Sequence, residues 1–214
     1  MNPLLMLSFA DGFSGALTIA EPILTATGLR GLEYFPAGSA GLACHLTTGQ
    51  LLALDAAGWD CCAHGTRQGG DYTSMPPDQV LPLLIESHDY LTGLGITRGS
   101  RILGPPAQRW DATLNPLALE AGFQVVSVGL ATGGIIPDGY DVEFQSCGAN
   151  VPLGTVASRI AALPAGKIGI LSFHNVRPAV FKENDADPTR VQAVVDLAVA
   201  SGLTICTFSD LLDT

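Results

Sequence analysis

Leu4-Leu5-Met6-Leu7-Ser8-Phe9-Ala10-Asp11-Gly12 is an apolar run that stops at a carboxylate and a glycine. Such a run, with no polar alternation, is the pattern of a strand buried on both faces, as in a parallel sheet covered by helices. It delivers Asp11 to the carboxyl end of the first strand, the edge where α/β folds gather their chemistry. Outward from there, strand-like runs alternate with helix-like segments. Strands are expected over 32–35, 59–63, 101–104, 124–128, about 140–144, 168–173 and 203–208. Helices are expected between them, including one capped by Thr47 with Gln50 three residues on. Another is capped by Asp187 with Pro188 in its first turn. The alternation predicts an α/β fold with a parallel sheet, and no linker or repeat divides residues 1–214, which read as one domain.

Composition narrows the functional classes. Ten Lys and Arg stand against twenty Asp and Glu, a formal net charge of −10, and no basic run is present, which excludes a nucleic-acid binder. Charged residues are 14% of the chain, against about a quarter in an ordinary soluble domain. With a mean hydropathy of +0.34, this suits either a well-packed α/β core or a surface partly covered in a homo-oligomer or larger assembly. The cysteines 44, 61, 62, 147 and 206 are odd in number and lack zinc-finger spacing, so they read as reduced residues. Cys61 and Cys62, neighbours in one strand, are expected on opposite faces. The N-terminus has neither a basic n-region nor a small-residue cleavage site, and no apolar stretch reaches membrane-spanning length. The expectation is a protein without signal peptide or membrane segment, cytoplasmic or carried in a larger particle such as a virion.

Three polar residues close three strands: Asp11, His64 and His174. In a parallel barrel those ends share one rim, so residues distant in sequence can meet. With its motifs in order, the chain resembles the polysaccharide deacetylases of carbohydrate esterase family 4, whose domain is a distorted β/α barrel, here of about seven strands. Ser8-Phe9-Ala10-Asp11-Gly12 occupies the place of the family's Thr-Phe-Asp-Asp-Gly. The strand into His64-Gly65-Thr66-Arg67-Gln68 matches the family's second motif. Pro105-Pro106 is what remains of its Arg-Pro-Pro-Tyr-Gly. Leu171-Ser172-Phe173-His174 keeps the final Leu-x-x-His.

The resemblance implies a divalent metal, zinc first, held by Asp11, His64 and Gln68, with His174 as the catalytic acid. It also shows what is missing. Ala10 stands where the general base belongs, Gln68 where the second metal histidine belongs, and Gly104 where the arginine that orients the base belongs. A glutamine amide is a poor zinc ligand, so a site holding no metal is the other expectation. Asp60 and Asp71 are candidate replacement carboxylates. Arg109 and Trp110, after the altered third motif, are candidate sugar contacts, Trp110 by stacking, with packing of the rim as the alternative. The reading that follows is a degenerate deacetylase, inactive or weakly active, kept for binding a glycan or as a structural part of an assembly. Its alternative is a divergent metal-dependent deacetylase or esterase acting on an acetylated polysaccharide.

Overall fold

The opening run forms strand β1, Leu4–Ala10, buried along its whole length. It is apolar on both faces because both faces meet core. Leu5, Leu7 and Phe9 point to the helix layer, and Leu4, Met6 and Ala10 point into the barrel. The computed structural model describes residues 1–66, 70–180 and 182–212.

Six further parallel strands flank β1: β2 (Leu32–Phe35), β3 (Asp60–Ala63), β4 (Ile102–Leu103), β5 (Val125–Val126), β6 (Asp141–Ser146) and β7 (Lys167–Phe173). Their order is β5-β4-β3-β2-β1-β7-β6, a sheet curled into a half-barrel with helices on its outside. Helices α1 (Glu21–Thr25), α2 (Thr48–Ala56), α3 (Pro77–Gly93), α4 (Asn115–Glu120) and α5 (Leu153–Ala161) follow the strands. The strands' carboxyl ends therefore all open on one rim.

The short pair β8 (Asn175–Val176) and β9 (Asp185–Ala186) follows β7. Helix α6 (Pro188–Ala200) then leads to β10 (Thr204–Ile205), which pairs with the first two residues of β1. Local chemistry explains the boundaries. Thr47 Oγ1 accepts from Gln50 N–H and Gln50 Oε1 accepts from Thr47 N–H, the reciprocal capping box expected for α2. Asp187 Oδ1 accepts from Arg190 N–H at 2.7 Å and opens α6. Cys61 faces the helix layer and Cys62 the barrel interior, and all five thiols are free.

One expected strand is corrected. The run 203–208 is extended only at Thr204–Ile205, and Phe208 instead begins helix α7, Phe208–Leu212. Phe208 turns into the bottom of the barrel, where it is fully buried. Asp210 Oδ2 accepts from Thr207 N–H, and Asp60 Oδ2 accepts from Ser209 N–H, so side chains replace the ladder that a strand would have used. Among the described residues no helix is long and apolar enough to cross a membrane.

Candidate functional site

The residues that close β1, β3 and β7 meet at the rim. Asp11, His64 and His174 line one cavity of about 390 Å³, together with Ala10, Tyr34, Gly104, Ser127, Phe144 and Ser172. Its position follows from parity. Ala10 and Tyr34 are register partners in adjacent strands, so both side chains fall on the interior face at the same height. Asp11 comes one residue later, where the backbone turns left-handed (φ 72°), and Gly12 repeats the turn at φ 74°. Aspartate tolerates this region better than most residues. A Cβ on Gly12 would also stand 2.9 Å from the Phe35 ring.

His64 is held by its other nitrogen. Nδ1 lies 2.6 Å from the carbonyl oxygen of Gly104, which can only accept, so Nδ1 carries the hydrogen. Nε2 then faces Asp11 Oδ1 at 3.6 Å. Burial works to raise the Asp11 carboxyl, but His64, through hydrogen bonding and charge, and His174 and His45, through charge, outweigh it. The net direction is below the ordinary carboxylate value. His174 follows β7 directly and is exposed to solvent.

This pair suits a divalent metal in part. A carboxylate oxygen and an imidazole nitrogen whose partner nitrogen is fixed by a carbonyl are the donor chemistry of such sites. Catalytic zinc sites use three protein ligands. Among the described residues no group of three His, Cys, Asp or Glu side chains gathers into a metal site. Gln68, the third expected ligand, lies outside the described residues.

At positions 10 and 104, where the resemblance calls for a base and an arginine, the structure has packing. Ala10 is 7% exposed and belongs to the interior cluster with Tyr34. A Cβ on Gly104 would stand 2.3 Å from Tyr34 Cδ1, so the tyrosine ring occupies the space that any side chain at position 104 would enter. Tyr34 is 2% exposed, and its hydroxyl is buried. Downstream, Ala107 and Gln108 both hold positive φ, 53° and 55°, an unusual conformation for non-glycine residues and one that costs energy.

The candidate replacement carboxylates sit elsewhere. Asp60 opens β3, four residues before His64, which at the rise of a strand is roughly 13 Å away. It is buried at the far end of the barrel, bonded to Ser209 N–H and 3.4 Å from Arg98, so it cannot serve the rim. Asp71 is on the rim but is not among the cavity's lining. Its carboxylate accepts from Thr73 and pairs with Arg109 at 2.8 Å. That pair ties Arg109 to the neighbouring loop and leaves the guanidinium largely exposed. Trp110 is 6% exposed, its indole N–H donates to Asn115 Oδ1, and its ring meets Tyr72 edge-on. It packs the rim.

Sequence reasoning did not find Tyr34, Ser127, Phe144 or Ser172 as cavity residues. Strand parity was the available signal for Tyr34, two residues beyond Leu32 on the same face, and for Ser172, two before His174.

Compared with protein-family models and with curated proteins, the sequence matches none. Its structure is similar to a family 4 carbohydrate esterase from Streptomyces lividans in complex with acetate. That match has a TM-score of 0.65 and 14% identity, covering 95% of this chain and 92% of that one. A family 4 acetyl xylan esterase from Clostridium thermocellum, in complex with a cobalt ion, matches with a TM-score of 0.66 and 15% identity, covering 98% and 90%. A family 4 pseudoenzyme from Bacillus anthracis matches with a TM-score of 0.64 and 10% identity, covering 99% and 66%. With a parallel half-barrel in common and the chain covered almost end to end, the protein has the fold of the family 4 carbohydrate esterases, the polysaccharide deacetylase barrel.

Proposed function

We propose that the protein is a degenerate deacetylase that binds a glycan in the rim cavity and turns it over weakly or not at all. The observation that carries this reading is the replacement of the base and its arginine by the packed pair Ala10 and Tyr34. Loss of a general base alone costs about a hundred- to ten-thousand-fold in rate. The cavity, about 390 Å³, is of a size that binds small ligands, and proteins of similar fold include both active esterases and a pseudoenzyme.

Asp11 and His64 are the residues that would hold a divalent metal, which when bound polarises a carbonyl oxygen. His174, exposed at the cavity, can hold or give a proton there. These three retained residues favour a second reading, a divergent metal-dependent deacetylase or esterase. A structural part in a homo-oligomer or larger assembly is compatible with either, and a sharp monomer in light scattering would count against it.

One experiment separates the two catalytic readings. Purified protein is incubated with zinc and acetylated chitooligosaccharides or xylan, and bound metal, glycan binding and released acetate are measured together. Saturable binding with acetate at background supports the proposal. Stoichiometric metal with turnover that Asp11→Asn abolishes overturns it in favour of the second reading.

A further inference from the structure

One step beneath the rim, the barrel interior carries a row of hydroxyls. The interior faces of β1 and of the buried part of β7 are apolar except at one residue each, Ser8 and Ser172. These two are register partners, and Ser172 is in turn the partner of Ser146 on β6. Ser8 comes two residues before Ala10 and Ser172 two before His174, so strand parity turns them to the same face as those rim residues.

The first two are buried polar groups that the fold does not satisfy. Ser8 is fully buried, and its Oγ has no hydrogen-bond partner among the described residues. Ser172 is 7% exposed, lines the cavity, and makes no side-chain hydrogen bond among the described residues. Ser127 in the same cavity wall shows the contrast, since its Oγ donates to Leu103 O at 3.2 Å. A buried hydroxyl left unpaired is costly. Of the adjacent pair, Ser172 reaches the cavity and Ser8 is sealed beside it on the next strand, about 4.8 Å away.

A serine hydroxyl donates once and accepts as well, so its complement is a group that does both, another hydroxyl. A methyl or a bare ring edge seated there would exclude water and leave Ser172 unpaired. A site of buried polar groups rejects a ligand that lacks their partner more strongly than an apolar pocket rejects a misfit. Phe144, half-buried and lining the same cavity, supplies an apolar side for the carbon that carries the oxygen. We infer that the floor of the cavity at Ser172 is a subsite for a primary alcohol, the CH2OH group of a glycan. The inference rests on the glycan-binding reading and sharpens its ligand. Two sources present that group: the exocyclic hydroxymethyl of a hexose, and a hydroxyacetyl group on the nitrogen of an amino sugar.

The test is calorimetric titration of the purified protein with two pairs of oligosaccharides of equal length. Cello- and xylo-oligosaccharides have units that differ by CH2OH alone. N-hydroxyacetylated and N-acetylated chitooligosaccharides differ by one hydroxyl per unit. In one pair the member bearing CH2OH should bind about tenfold tighter, the scale of a hydrogen bond that is otherwise left unmade, and the pair that shows it names the source. Ser172→Ala removes one oxygen and should bring that pair to within about twofold. Ser158→Ala, on the exposed face of α5, should leave the preference intact. Equal binding within both pairs overturns the inference while glycan binding stands, and so does a preference that survives Ser172→Ala. Binding of none of the four overturns both.

Discussion

At position 104 the absence of a side chain is filled by a neighbour. An arginine there has a reason to exist only while a carboxylate stands at position 10. With Ala10 there instead, a buried guanidinium at position 104 would have no carboxylate to pair with, at a cost of several kcal/mol. Tyr34 now closes the space. Introducing an arginine alone should therefore fail sterically. Gly104→Arg should destabilise the protein by about 1–3 kcal/mol, the range of overpacking. Tyr34→Ala, itself costly as a cavity, should relieve much of that, giving a non-additive double-mutant cycle in urea unfolding. Additive costs would mean that the two positions do not share space.

Glu33 makes a second residue-level prediction. It is fully buried on β2, accepts from Gly12 N–H at 2.9 Å through Oε1, and leaves Oε2 without a partner among the described residues. Burial pushes its carboxyl well above the ordinary 4.5, the Gly12 hydrogen bond opposing and the Asp11 charge assisting. The unfolded chain releases this proton near pH 4.5, while the folded chain keeps it to a higher pH. Between those values the folded state binds more protons, so this group's contribution to stability falls as pH rises. Glu33→Gln keeps the acceptor and cannot ionise. Its stability relative to the wild type should climb as pH increases above 4.5, measured by urea unfolding across pH. A constant difference would contradict the assignment.

Among the elements, those whose signals are local were legible in the sequence. The apolar run of β1, the capping box of α2 and the Asp187-Pro188 start of α6 each carry their own chemistry, and all three form where expected. Asp187→Ala should cost about 1 kcal/mol in chemical denaturation, the usual worth of an N-cap, whereas no loss would mean that the Arg190 N–H finds another partner. Helix α7 was not legible. Its strand-like residues are turned into a helix by distant groups, Asp60 from β3 and the barrel interior that accepts Phe208, and no local pattern encodes that docking.

Over the whole molecule, parallel topology brings Asp11, His64 and His174 into one cavity from three strand ends, and that convergence was legible because each residue closes an apolar run. The packing behind it was not. That Tyr34 fills the place opposite Gly104, that Trp110 is turned into the rim and that Asp60 belongs to the far end are consequences of register and depth, which a linear pattern does not report. The result is a barrel of the family 4 esterase fold whose rim cavity holds Asp11, His64 and His174, with Ala10 and Tyr34 packed beside them. Acetate release from N-acetylated chitooligosaccharide in the presence of zinc, compared between the wild type and Asp11→Asn, tests this directly. Release by the wild type should lie at or barely above background, and multiple-turnover, metal-dependent release that Asp11→Asn abolishes would contradict the account.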